Sequence, residues 1–236
     1  MRIAIINPNT TESMTTRIAA VARSSARDGT EIVEAQPDRG PEAIEGPFDG
    51  ALSVPGLLRA ISATSNDVDA HIVACFDDTG LDAARSFSRR PVVGIGEAAY
   101  HVASLTAHSF CVVTTLARSV PVIEDNIRRY GFDHRCRRVF ASDIPVLELE
   151  NPQSGALERL SKHIEEGRAL GAEAVVLGCA GMAKFAAELQ RRHGFPVIEG
   201  VSAAVGLAEM LVNGRFLTSK AGIWASPSRH HILELG

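Results

Sequence analysis

Cys75 and Cys179 each stand where a short apolar run stops and a small or polar turn begins. The first run reads His71-Ile72-Val73-Ala74, followed by Cys75 and then Phe76-Asp77-Asp78-Thr79-Gly80. The second reads Val175-Val176-Leu177-Gly178, followed by Cys179 and then Ala180-Gly181. Two thiols on opposite sides of a carbon acid can invert its configuration without a cofactor. A thiolate removes the proton from one face, and the opposite thiol returns a proton to the other; exchanging the roles runs the reaction backwards. A free thiol, with a pKa of about 8.5, is only slightly ionised at neutral pH. A place just before a helix N-terminus lowers that pKa, and both sequences offer one, so two activated thiols are expected. Asp77 and Asp78 would oppose the shift if they pointed at Cys75. As N-cap and first-turn carboxylates of the helix that follows they face its dipole instead.

The same backbone N–H groups can hold a carbonyl oxygen as it becomes enolate-like. Thr114, Thr115 and Ser119, at the end of another apolar run, offer hydroxyls for that task, and Asn7 and Asn9 offer amides. Their plainer role is helix capping. Phe76 and Asp77 beside the first thiol, and Ala180 and Gly181 after the second, complete the candidate substrate-binding set. The remaining cysteines differ: Cys111, within SFCVVTT, reads as a small buried hydrophobe, and Cys136, within HRCRR, as structural or surface. No CxxC pair and no zinc-site spacing occurs, so no metal is expected. No cofactor is expected either, since Lys162, Lys184 and Lys220 follow no strand-end motif. Gly94-Ile-Gly96-Glu-Ala-Ala99 matches a dinucleotide fingerprint, but it follows the fourth expected strand, and the next strand ends in Thr114-Thr115 rather than an acid. His101, His108, His134, His163 and His193 are scattered and read as solvated; His230-His231 lies in the C-terminal tail.

The elements that must position these residues alternate. Strands are expected near 2–6, 31–35, 71–74, 91–94, 109–114, 137–140, 174–177 and 196–198. Helices are expected near 10–26, 51–64, 79–89, 97–106, 119–130, 154–169, 181–192 and 202–213. Thr10 and Ser119 suit N-caps, and Pro121 suits a first helical turn. Residues 36–50, QPDRGPEAIEGPFDG, read as a long loop. The composition is that of an ordinary globular protein: 236 residues, 45% apolar, 22% charged, net charge −4. Mild acidity without a basic stripe argues against nucleic-acid binding. No apolar run nears the roughly 18 residues of a membrane span. The apolar start, Met1 to Ile6, is too short for a signal peptide, so a cytoplasmic location is expected.

The chain also resembles itself. CFDDTGLDAARSFSRRPVVGIGEAAYHVA and CAGMAKFAAELQRRHGFPVIEGVSAAVGLA share one order: cysteine, turn, helix ending in Arg-Arg, a PVV or PVI strand, and an Ala-rich helix. Their cysteines are 104 residues apart and Pro91 and Pro196 are 105 apart. This implies an α/β fold of two pseudo-symmetric lobes, each a mostly parallel sheet flanked by helices, with the active site in the cleft between them. Residues 1–96 plus 203–236 are expected to form the lobe of Cys75, and 97–202 the lobe of Cys179, with the last helix exchanged between them.

The stretches NPNTT, ACFDDTGLDAAR, PVVGIGEAA, VVTTLARSVPVIEDN and VLGCAGMA together resemble the Asp/Glu/hydantoin racemase superfamily, nearest its hydantoin racemase branch, which includes allantoin racemases. The resemblance runs from about residue 2 to 213. It implies cofactor-independent racemisation of 5-monosubstituted hydantoins with Cys75 and Cys179 as the two bases, a small cyclic-ureide substrate, and assembly as a homo-oligomer. Alternatives are allantoin racemisation, or another superfamily activity such as maleate isomerisation or amino-acid racemisation. A non-enzymatic two-lobed binder is a further class. Glutamate racemases resemble this pattern but carry Thr-His after the second cysteine and Asp-Ser-Gly in the first loop. Ala180-Gly181 and Asn7-Pro8-Asn9 stand there instead, which disfavours free amino acids. A hydantoin C5–H, next to a ring carbonyl, is more acidic, so two thiols suffice for it. The C5 substituent is expected to point towards the 36–50 loop, where Ile44, Pro47 and Phe48 are apolar.

Overall fold

The computed structural model describes residues 1–228, so His230-His231 lies outside the described residues. The first half runs β1 (Arg2–Ile6), α1 (Glu12–Ser25), β2 (Glu31–Ala35), α2 (Pro47–Thr64), β3 (Ala70–Val73), α3 (Leu81–Phe87), β4 (Val92–Gly94) and α4 (Ile95–Thr106). The second half repeats the order: β5 (Phe110–Thr114), α5 (Val120–Arg129), β6 (Cys136–Ala141), α6 (Ala156–Ala169), β7 (Ala174–Gly178), α7 (Ala186–His193), β8 (Val197–Glu199) and α8 (Gly200–Asn213). The strands form two four-stranded sheets, β2-β1-β3-β4 and β6-β5-β7-β8. Every pairing is parallel. The second order is the first one repeated, as a duplicated unit requires.

The central strands β3, β5 and β7 are buried along their whole length. Helices on both faces leave them no polar side, hence their largely apolar sequences, broken by His71 in β3 and Thr114 at the end of β5. Ala4, Ile6, Leu57, Ile61 and Leu81 fill the outer face of the first sheet under α2 and α3. Val113, Leu160, Val175 and Leu189 fill the outer face of the second sheet under α6 and α7. A third core runs between the sheets and joins Ile5 and Ile72 to Val112 and Val176 through α1, α4 and α8. Tyr100 on α4 is its centre, edge-on to Phe76 at 5.5 Å and stacked on Phe110 at 6.0 Å. Helix α8 packs on α1 and chiefly on β3 and β4 of the first sheet, also touching β7 and β8, and α4 packs chiefly on β7 of the second, touching β8 and β4 as well. The division into residues 1–96 plus 203–236 and residues 97–202 is kept as a proposal, with residues 229–236 outside the described residues.

Several boundaries differ from the sequence reading. Helix α2 begins at Pro47 rather than 51, because proline suits a first helical turn, where no N–H partner is needed. The preceding loop therefore shortens to 36–46. Thr10 does not cap α1: Thr11 takes that position without a side-chain cap bond, and the Thr10 hydroxyl donates to the Pro41 carbonyl. Ser119 stands before α5 but makes no side-chain cap bond, with Pro121 in the first turn. After Cys179 comes a 3₁₀ segment, Ala180–Phe185, and only then α7. Among the described residues no helix is long and apolar enough to cross a membrane.

Candidate active site

The ends of β1, β3, β5 and β7 converge on one cleft between the two sheets. Asn7 and Asn9 enter from the β1–α1 turn, Cys75 to Asp77 from the end of β3, Thr114, Thr115 and Ser119 from the end of β5, and Cys179 and Ala180 from the end of β7. Ile44 borders it from the shortened loop. Glu45 ties that loop to the other lobe, its carboxylate accepting from the Val146 N–H at 3.0 Å. The cleft encloses about 40 Å³. That is less than the roughly 150 Å³ that accommodates benzene, so a ring-sized ligand parts the walls or reaches into adjoining space.

Of the residues selected from sequence, Gly181, Pro47 and Phe48 fall outside this lining. Gly181 borders an adjoining apolar cavity. Phe48 sits in the first turn of α2 and is 76% exposed, away from the cleft lining. Phe76 borders the cleft while its ring packs on Tyr100. Met14, Pro8, Ala74, Val146 and Gly178 also line the cleft and were missed. Ala74 and Gly178 flank the cysteines and were within reach of the sequence reading, whereas nothing local marks Val146.

Both cysteines are half-buried at the cleft surface and carry free thiols. The expected lowering of their pKa is not found. Burial pushes the Cys75 thiol up to about 12, and the neighbouring Asp77 carboxylate adds to it. Burial pushes Cys179 up to about 11, with Asp77 and Glu45 adding. The Thr79 hydroxyl, 3.5 Å from Cys75 Sγ, and the N–H groups of Gly181 and Met182 at Cys179 act the other way but are outweighed. No helix N-terminus lies directly behind Cys75, because α3 starts only at Leu81, after Gly80 at φ 73°. At Cys179 the following 3₁₀ segment offers a weaker set of aligned N–H groups than an α-helix.

The two aspartates part company. Asp77 lines the cleft, and burial raises its carboxyl to about 6. Asp78 does not serve α3. At φ 50° it turns to accept from the N–H groups of Gly96 at 3.1 Å and Glu97 at 2.8 Å, and from the Tyr130 hydroxyl at 2.9 Å. It therefore caps α4, and burial pushes it up to about 7. Its carboxylate also accounts for the Gly94-x-Gly96 pattern: a Cβ at either glycine would collide with the turn carrying Asp78. The helix N-terminus that would take a dinucleotide phosphate is already filled by a carboxylate.

The polar groups fall into engaged and available sets. Asn7 Nδ2 donates to Asn9 Oδ1 at 2.7 Å and to the Thr15 hydroxyl at 2.9 Å, which fixes the turn. Among the described residues Asn9 Nδ2 meets only the Met14 sulfur, a weak acceptor, at 3.3 Å. The Thr114 hydroxyl donates to the Gly178 carbonyl at 3.0 Å and so ties the ends of β5 and β7. Thr115 and Ser119 are buried, and among the described residues their hydroxyls have no hydrogen-bond partner. Asn9, Thr115 and Ser119 are thus the groups able to donate to a substrate oxygen. Among the described residues no three His, Cys, Asp or Glu side chains group closely enough to hold a metal ion.

Comparison with known proteins shows the family. The family model described as Asp/Glu/Hydantoin racemase matches residues 3–208. A hydantoin racemase of Rhizobium meliloti is 46% identical over 96% of this chain and 95% of its own length. One from Pseudomonas sp. (strain NS671) is 41% identical over 97% and 93%. The structure of an allantoin racemase from Klebsiella pneumoniae superposes with a TM-score of 0.93 at 45% identity, covering 97% of this chain and 94% of that one. The chain belongs to the Asp/Glu/hydantoin racemase family and is an enzyme of the isomerase class.

Proposed function

We propose that this chain racemises 5-monosubstituted hydantoins by proton transfer between Cys75 and Cys179, without a cofactor. The observation that carries the reading is that the two repeat-related thiols line one cleft from opposite lobes. One thiolate takes the C5 proton and becomes a thiol. The electron pair left at C5 spreads onto the adjacent ring carbonyl, whose oxygen is met by the hydroxyls of Thr115 and Ser119 or the Asn9 amide. The opposite thiol then gives its proton to the other face of C5 and becomes a thiolate. The sites end with roles exchanged, ready for the reverse reaction. Raised thiol pKa values serve this chemistry in one respect: each thiolate formed is a stronger base toward a weak carbon acid.

Loss of optical rotation from a single-enantiomer 5-substituted hydantoin, in buffer dialysed against a chelator, tests the reading. The wild-type chain is expected to bring rotation to zero. Cys75→Ala and Cys179→Ala should each lower the rate by roughly 10²–10⁴-fold or more. Cys111→Ala and Cys136→Ala should retain most activity. Near-normal racemisation by either variant of the pair, or activity lost on dialysis and restored by zinc, would overturn it.

A further inference from the structure

Beside the thiol cleft lies a second cavity of about 240 Å³, between α1 and the helical turn Leu147–Glu150. The two spaces adjoin, sharing Met14, Val146 and Ala180 as wall. The rest of the lining is chiefly apolar, with Ile18 and Val21 on α1 facing Leu149. The charged residues at the rim are engaged with one another or with the backbone. Arg17 pairs with Glu150, joining α1 to the opposite lobe, and Lys184 Nζ donates to the Leu149 carbonyl at 2.7 Å. Gly181 keeps one wall back: a Cβ there would stand 3.1 Å from Leu149 Cδ1.

We infer that this cavity receives the C5 substituent of the substrate, and that the chain prefers hydantoins with apolar aliphatic or aromatic C5 groups over allantoin. The inference rests on the hydantoin racemase reading above. It moves the substituent from the 36–46 loop and Phe48 to the α1 side of the cleft. A cavity of roughly 150 Å³ takes benzene, so this one has room for a benzyl group. A ureido group, the C5 substituent of allantoin, carries several donors and an acceptor that an apolar wall leaves unpaired, at a cost in binding.

The test compares kcat/KM for 5-benzylhydantoin, 5-methylhydantoin and allantoin in wild type and in Val21→Phe, which fills the cavity from the half-buried side of α1. Wild type is expected to favour the benzyl compound over allantoin by about tenfold or more. Val21→Phe should cut the benzyl compound by about tenfold or more relative to the methyl compound, whose substituent is too short to fill the cavity. Val21→Ala, a milder change, should do the reverse and raise 5-(indol-3-ylmethyl)hydantoin relative to 5-methylhydantoin. Equal effects on large and small substituents in both variants, or allantoin as the best wild-type substrate, would overturn the inference and leave the racemase reading intact. Racemisation of none of the cyclic ureides would overturn both.

Discussion

Asp77 shares the cleft with both thiols, and its carboxylate raises each of them, after burial itself. Facing thiols titrate as a coupled pair, so the pH profile reports the pair rather than either residue. With thiols near 12 and 11, kcat/KM is expected to climb through the alkaline range rather than level off near neutrality. Asp77→Asn removes a negative charge and should move the rising limb to lower pH; a limb that stays put or moves up contradicts the assignment. The same variant makes a stability prediction whose sign follows from linkage. Because the folded-state pKa of Asp77 is raised, its stabilising contribution is complete below the ordinary carboxylate range and is lost as pH rises through about 6. Urea unfolding should therefore find Asp77→Asn more stable than wild type at pH 7 relative to the same comparison at pH 3 (roughly one unit beyond either side of the transition).

At the scale of elements, α4 and α8 carry contact between the two halves of the repeat, and Gly200 at the start of α8 lies against Ile95 at the start of α4. A Cβ at Gly200 would collide with the Ile95 carbonyl, a backbone atom that cannot swing away. On the same helix, a Cβ at Gly206 would meet nothing within 4 Å. Gly200→Ala is thus expected to destabilise the chain by about 1–3 kcal/mol, and Gly206→Ala to stabilise it by up to about 1 kcal/mol. Urea midpoints measure both, and the same sign for the two would refute the packing. The strands carrying the cysteines were legible because parallel strands buried on both faces are continuous apolar runs that end abruptly. The pairing of Cys75 with Cys179 in one cleft was legible because the repeat predicts equivalent positions. Three features were not legible, for separate physical reasons. Asp78 caps a helix that starts 17 residues later rather than the one that follows it, and local sequence names only the nearer one. Burial of the thiols outweighs any helix effect, and burial depends on the other lobe. Pro47 read as loop punctuation although it opens α2, which leaves Phe48 outside the cleft.

The whole molecule places one thiol from each half of a duplicated chain at a cleft closed by contacts from both lobes. Asn126 donates to the Asp77 carbonyl at 2.8 Å, Tyr130 to Asp78, Glu45 accepts from Val146, and Arg17 pairs with Glu150. These cross-lobe bonds hold the two strand ends facing one another, which no single lobe could do. Two bases acting from opposite faces leave a distinct isotopic record, read by incubating one hydantoin enantiomer in D₂O at neutral pH, separating the enantiomers by chiral chromatography at early conversion and measuring deuterium at C5 of each. The account predicts that the newly formed enantiomer carries deuterium while the unreacted enantiomer keeps its proton. The proton removed by one thiol returns to the same face, and the other thiol delivers solvent deuterium. The same pattern should appear from either enantiomer and vanish in Cys75→Ala and Cys179→Ala. Deuterium entering substrate and product at the same rate would mean a single base serving both faces, and would contradict the account.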